Sequence, residues 1–221
     1  MAAKKESTFL SMVVTLFIVS AVAAMALGYV YQLTKAPIAK AKLEKKKKAI
    51  RQVVPTFDNN PVNDTIKVGL KEGDTLECYL AYSGKELTGI AVKANTKKGF
   101  SGEFWVIAGF LPDGTIYNSA ILEHKETPGL GDKMQKEKSV KTIENEDGSV
   151  DTTWWTKQFM GMKPLFEDKN FKEAENIKVS KDGGEIDAIT AATISSRGYC
   201  DAVNRAYHAF TLAMEKLNAE E

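Results

Sequence analysis

Residues that build metal and thiol centres are scarce in this chain: 221 positions hold two cysteines and two histidines. Cys78 and Cys200 form no CxxC pair and no Cys/His cluster, so the spacing of a zinc or iron–sulfur site is missing. His124 and His208 are too few for a metal cage, and no metal is expected. Whether the two thiols pair with each other is open at this stage. Charge of one sign is also short in places. Residues 1–51 hold ten Lys/Arg against only two acids, Glu6 and Glu44, a balance of +8. Subtracting these from the totals of 30 and 29 leaves 20 basic and 27 acidic residues in 52–221, a balance of −7. The net charge of +1 therefore describes neither part. An acidic globular portion argues against a nucleic-acid partner.

No charge at all falls between Glu6 and Lys35, a run of 28 residues, STFLSMVVTLFIVSAVAAMALGYVYQLT. About 20 apolar residues of helix cross a bilayer core. A cleaved signal peptide is the rival reading, with Lys4 and Lys5 before the run and SAVAAMA inside it. Its apolar core, however, spans only about 7–15 residues, so an uncleaved anchor is preferred. The flank KAPIAKAKLEKKKKAIRQ is far more basic than MAAKKES, and the positive-inside rule would put it in the cytoplasm. The flank also reads as a continuation of the helix, with Ala39, Leu43 and Ile50 as a sparse apolar stripe. Composition alone leaves the topology open.

Beyond Pro55 and the polar FDNNPVNDT stretch the pattern changes. TLECYLAYS, LTGIAVKAN, EFWVIAGFL and TIYNSAILEHK are short β-branched and aromatic runs separated by SGKE, TKKGFSG and PDG. The turn at Pro112–Gly114 and the short spacings predict an antiparallel meander rather than βαβ units. WWTKQFMGM predicts a short helix or an anchored loop, and Asp182–Gly184 a hairpin turn. From Ser196, the residues Tyr199, Val203, Ala206, Tyr207, Phe210, Ala213, Met214 and Leu217 recur at helical spacing. The expected fold class is α+β: one N-terminal transmembrane helix, then a domain with an antiparallel sheet and packed helices. Residues 1–34 form the segment with the span, 35–54 a basic helical linker, and 55–221 the folded domain.

Two stretches carry chemistry. HKETPGLGDK, His124–Lys133, follows a strand; Pro128 stiffens it, while Gly129 and Gly131 let a ligand approach the main chain. A plain tight turn is the simpler reading of such a loop. DAITAATISS, Asp187–Ser196, crowds hydroxyls before the last helix. Thr193, Ser195 or Ser196 can cap that helix, and a helix start also receives phosphate well.

Taken together with the anchor, GFSG, and the aromatic QF segment, ETPGLG followed by IDAITAATISS resembles a known family across essentially the whole chain. It is that of the FMN-binding subunits of bacterial respiratory complexes: the G subunit of the Rnf ferredoxin:NAD oxidoreductase complex and the C subunit of the sodium-pumping NADH:quinone reductase. The compact length favours the Rnf type. Other readings are a free-standing anchored flavoprotein and a structural subunit without flavin.

The resemblance implies FMN joined through its phosphate to the hydroxyl of Thr193, the last residue of an Asp-x-x-Ser/Thr-Gly-Ala-Thr motif. Matching positions are Asp187, Thr190, Ala191, Ala192 and Thr193, with Ala191 standing where the family usually has Gly. A separate flavin transferase, using FAD and recognising Asp187, makes the link outside the cytoplasm. Glu126, Thr127 and Leu130 then line the ring, with Gly129 and Gly131 giving main-chain contact. Thr190 and Ser195 are expected to hydrogen-bond the phosphate beside Ala192, and Lys163 in GMKPLF is a lesser candidate. The implied protein is an electron carrier of the cytoplasmic membrane, single-pass, with its flavin domain extracytoplasmic. Its partners are the bilayer, the flavin transferase, and the membrane and iron–sulfur subunits of an ion-translocating complex.

Overall fold

Phe9–Val53 form a single helix, α1, in the computed structural model, which describes residues 8–70, 73–144, 150–164 and 177–220. The chain divides into two compact units, Met1–Lys45 and Lys46–Glu221. In the first unit the apolar side chains of α1 stand unpacked: Phe17 and Leu27 are each 73% exposed. Such a surface suits an apolar solvent. Its polar side chains turn inward to the helix, as hydrocarbon demands. Ser11 Oγ donates to the Thr8 carbonyl at 2.8 Å, and Thr15 Oγ1 to that of Ser11 at 2.7 Å. Among the described residues α1 is the one helix long and apolar enough to cross a membrane.

The second unit is built on a five-stranded antiparallel sheet in the order β1-β2-β3-β4-β5, the expected meander. Its strands are β1 Thr65–Gly69, β2 Thr75–Ser83, β3 Glu86–Gly99, β4 Gly102–Phe110 and β5 Ile116–Glu123. Alternation splits each central strand between two cores. Cys78, Leu80, Ile90, Val92, Val106, Ala108 and Phe110 face one. Tyr79, Ala81, Ala91 and Ile107 face the other, closed by Ala49, Ile50 and Val53 from the last turns of α1 and by Val54 just after it. Burial on both faces explains why these strands read as continuous apolar runs. The turn at Pro112–Gly114 is present, with Asp113 accepting from the Thr115 amide at 2.9 Å.

The first core is covered by α3, Thr193–Glu220, which presents Tyr199, Val203, Ala206, Phe210 and Ala213 at helical spacing. Tyr199 reaches through to the sheet, its hydroxyl donating to Ser119 Oγ on β5 at 3.0 Å. Between β5 and α3 lie a 3-10 turn at Gly131–Met134, the short helix α2 at Lys136–Ser139, and a small hairpin, β6 Lys141–Glu144 with β7 Val150–Thr153. WWTKQFMGM contains a 3-10 helix, Trp155–Phe159. Trp155 and Phe159 pack on Tyr199 with ring centroids 5.1 Å apart in each case. The hairpin expected at Asp182–Gly184 is not formed. Ser180–Asp182 make a 3-10 turn ending at Gly183, and the flanking residues Val179 and Ile186 meet in a parallel bridge.

Both cysteines are buried free thiols. Burial pushes each from 9.0 up to about 12. The folded chain should therefore resist alkylation at about pH 8 and react fully on unfolding, as read by mass. Unfolding between pH 9.0 and about 12 releases protons, so the thiols' contribution is complete below 9.0 and is lost as pH rises through that window. A denaturation midpoint followed upward from pH 8 should fall within it, and Cys78→Ala and Cys200→Ala should each shallow that fall.

Candidate functional site

The two motifs, more than sixty residues apart, are joined by one buried hydrogen bond. Ser195 Oγ, in the first turn of α3, donates to Glu126 Oε2 at 2.6 Å. Glu126 is 5% exposed, and its other oxygen, Oε1, accepts the Ser101 amide at 3.1 Å. Three segments therefore converge on one carboxylate: the Gly99–Gly102 end of the β3–β4 hairpin, the loop after β5, and the start of α3.

Around this knot lies a cleft of about 300 Å³ lined by Phe100, Glu126, Thr127, Leu130, Gly131 and the 191–195 segment. In the loop, the Glu126 amide donates to His124 Nδ1 at 3.2 Å and the Leu130 amide to the Thr127 carbonyl at 3.2 Å. Gly129 sits at φ +79°, which turns the chain back towards α3. At Gly131 the requirement is space: a Cβ there would lie 2.7 Å from both Glu126 Oε2 and Ser195 Oγ.

The opposite wall is a tight turn before α3. Ser196 Oγ accepts the Ile189 amide at 3.0 Å and donates to the Ala192 carbonyl at 3.0 Å, closing the turn on itself. Ala191 takes φ +61°, the one positive φ at a non-glycine among the described residues. That is the conformation the motif's usual glycine adopts without cost. Upstream, the backbone of Asp187 is clamped from both sides. Its carbonyl accepts Trp155 Nε1 at 2.7 Å, and its amide donates to Gln158 Oε1 at 2.7 Å. The residue itself is exposed.

Thr193, the first residue of α3, is half-buried at the cleft edge. Lys181 Nζ donates to its Oγ1 at 3.4 Å. Thr127, Leu130, Gly131, Ala192 and Ser195 come together at the cleft, and Gly129 lies in the same loop. Thr190 is exposed and outside the lining. Ser195 gives its only hydroxyl proton to Glu126, so that proton is not on offer to a phosphate oxygen. Lys163 pairs with Asp113 at 3.7 Å, away from the cleft lining. Sequence reasoning missed Phe100, Ile194 and Lys181. An aromatic residue between Gly99 and Gly102 was the available signal for Phe100, which is 67% exposed.

These residues suit a flavin at both ends. Phe100, Leu130 and Ile194 offer apolar surface from three separate segments to a flat ring. The helix start and Lys181 offer positive charge to a phosphate. The volume is at the low end of the roughly 300–1,000 Å³ of ligand pockets.

Comparison with known proteins agrees. Residues 99–208 match the FMN-binding domain family. The G subunit of the ion-translocating oxidoreductase complex of Aliivibrio fischeri is 31% identical over 215 residues, 94% of this chain and 91% of that protein. The G subunit of the Na(+)-translocating ferredoxin:NAD(+) oxidoreductase complex of Acetobacterium woodii is 32% identical over 201 residues, covering 86% and 85%. Among solved structures, NqrC of Shewanella oneidensis aligns with a TM-score of 0.48 and 20% identity, over 76% of this chain and 73% of that one.

The geometry makes two opposite predictions. Ala191→Gly should stabilise by about 0.5 kcal/mol, relief of about 1 kcal/mol of left-handed strain being partly offset by a more flexible unfolded chain. Gly131→Ala should destabilise by about 2 kcal/mol, because the added methyl pries Glu126 from Ser195. Equilibrium denaturation reads both signs.

Proposed function

The chain belongs to the FMN-binding G subunits of ion-translocating oxidoreductase complexes, and on that premise we propose that it carries FMN covalently on Thr193. The observation that supports this most is the convergence of the 124–131 loop and the start of α3 on one cleft with the Thr193 hydroxyl at its edge. In the loading step, Thr193 Oγ1 bonds to the phosphorus of the FMN half of FAD. The diphosphate P–O bond breaks, AMP leaves, and the hydroxyl proton departs to a base. The side chain that touches that hydroxyl is a lysine donor, not a base. Deprotonation therefore falls to a separate flavin transferase, and Thr193 is its substrate. Exposed Asp187, with its backbone fixed by Trp155 and Gln158, is the residue we assign to recognition by that enzyme.

Bound FMN supplies one- and two-electron redox chemistry. The protein's part is to hold and shield it. Phe100, Leu130 and Ile194 would lie against the ring, Thr127 and the Gly129–Gly131 main chain would border it, and Glu126 fixes the walls. A carrier of this kind passes electrons between other subunits and turns over no diffusing substrate by itself. The relative from Acetobacterium woodii acts between ferredoxin and NAD(+), and we assign this chain to a complex of that type. Membrane and iron–sulfur subunits are then its partners.

Intact and peptide mass of protein purified from its native membrane should reveal an FMN-sized addition on the 187–197 peptide. Thr193→Ala should lack it entirely; an addition that persists in the variant sinks the assignment. Loading outside the cytoplasm also requires the domain to be exported, against the basic flank of 35–51. A C-terminal alkaline phosphatase fusion should accordingly be active, while a C-terminal fluorescent-protein fusion exported by the same route stays dark. The reverse pattern would place the domain inside.

A further inference from the structure

Of the hydroxyls crowded around the acceptor, few are free to meet a phosphate. Ser195 gives its proton to Glu126, Ser196 gives its own to the Ala192 carbonyl, and Thr190 lies outside the cleft lining. The start of α3 contributes partial charge only. Among the described residues one formal cation touches the acceptor oxygen, and it comes from a segment no motif includes. We propose that Lys181 is the phosphate-binding residue of this flavin site, holding the negative charge that the diester brings to Thr193. The inference rests on attachment at Thr193.

Three observations support it. First, the contact is with the reacting atom itself, Lys181 Nζ to Thr193 Oγ1 at 3.4 Å. A donor that reaches this oxygen is also within reach of a phosphate bonded to it. Second, Lys181 has no carboxylate partner among the described residues, although its neighbour in sequence is an aspartate. Asp182 is fully engaged elsewhere. Both of its oxygens take a two-bond fork from Arg197, at 2.6 Å each. The ion pair of Asp182 among the described residues is with Arg197, whose fork holds the Asp182 carboxyl below its ordinary range. Among the described residues the lysine is left with the Thr193 hydroxyl.

Third, the backbone that carries Lys181 is fixed to the helix that carries the acceptor. Arg197 stands one turn after Thr193 on α3, so the fork ties residue 182 to the same rigid rod. The Ser180 amide donates to the Ile186 carbonyl at 2.8 Å and the Asp182 amide to the Val179 carbonyl at 2.8 Å. Val179 and Ile186 are each 1% exposed and anchor the turn in the core. A long, flexible side chain on a fixed base spends little of its freedom when it meets the diester. The pairing remains at the surface, which limits its size and makes it sensitive to salt.

The test uses full-length apo protein in detergent, incubated with purified flavin transferase, FAD and Mg²⁺. FMN addition is timed by intact mass for wild type, Lys181→Met, Lys181→Arg and Asp182→Asn. Circular dichroism checks that each variant is folded. At low salt Lys181→Met should load about threefold more slowly, the scale of one exposed charge pair. Lys181→Arg should keep the wild-type rate, and Asp182→Asn, which frees the base of the lysine, should fall between. The loaded proteins are then compared by ³¹P NMR. A phosphate paired with Lys181 has a resonance that moves in Lys181→Met and stays put in a control, Lys178→Met. Wild type that gains no FMN overturns the Thr193 attachment and this inference together. Wild type that loads, with Lys181→Met equal to it in rate and resonance, overturns the role of Lys181 alone. Slower loading with an unmoved resonance also overturns it, since the lysine then serves the transferase and not the phosphate.

Discussion

Everything at the site depends on the buried hydrogen bond from Ser195 to Glu126. A carboxylate that is 5% exposed is stable only if both oxygens are answered, and here they are answered by two different parts of the chain, Ser195 Oγ and the Ser101 amide. Removing either donor leaves an unsatisfied buried acceptor, at a cost of about 1–3 kcal/mol or more. Glu126 thus acts as a rivet whose loss loosens three walls at once. It also dictates Gly131, because the space a side chain would need is filled by the two atoms of that bond.

From the rivet the division of labour among the hydroxyls follows. Ser196 closes the turn that begins α3, Ser195 locks that turn to the loop, and Thr193 is left at the edge with a lysine beside it. The turn has to be sharp, which is why Ala191 lies in the left-handed region. Its upstream arm is held by a chain of contacts that starts in the sheet. Ser119 on β5 accepts from Tyr199, Tyr199 packs on Trp155, and Trp155 donates to the Asp187 carbonyl. Local strain at Ala191 is therefore supported by rigid core on both sides.

Features governed by local pattern were legible in the sequence. The meander could be read because β2–β5 are apolar runs divided by polar turns, and α3 because its buried residues recur every three or four positions. ETPGLG and the acceptor stretch were legible as motifs, and their meeting in one cleft follows from the fold. Features set by distant partners were not legible. Asp182–Gly184 has the composition of a hairpin turn, yet Arg197 captures Asp182 and the segment winds into a 3-10 turn. The same capture delivers Lys181 to Thr193. Ser195 has the look of a phosphate ligand because nothing in its own stretch announces Glu126, 69 residues earlier. Gly131 looks like a flexible position in the motif, although its lack of a side chain is what matters in the fold.

The openness of the cleft has its own logic under the proposed attachment. A diffusing cofactor has to be held by burial, commonly 70–90% of its surface. One bound through its phosphate to Thr193 is kept at high effective concentration whatever the walls contribute. The walls are then free to be shallow, and Phe100 and Ile194, 67% and 48% exposed, are shallow walls. A flavin so tethered would need no more than such a cleft, and an edge left towards solvent would let a neighbouring subunit approach closely. Stronger enclosure would add affinity that the covalent bond makes unnecessary and would lengthen the distance an electron has to cross. The proposed tether and the open cleft are in this sense one solution to the demands placed on an electron carrier.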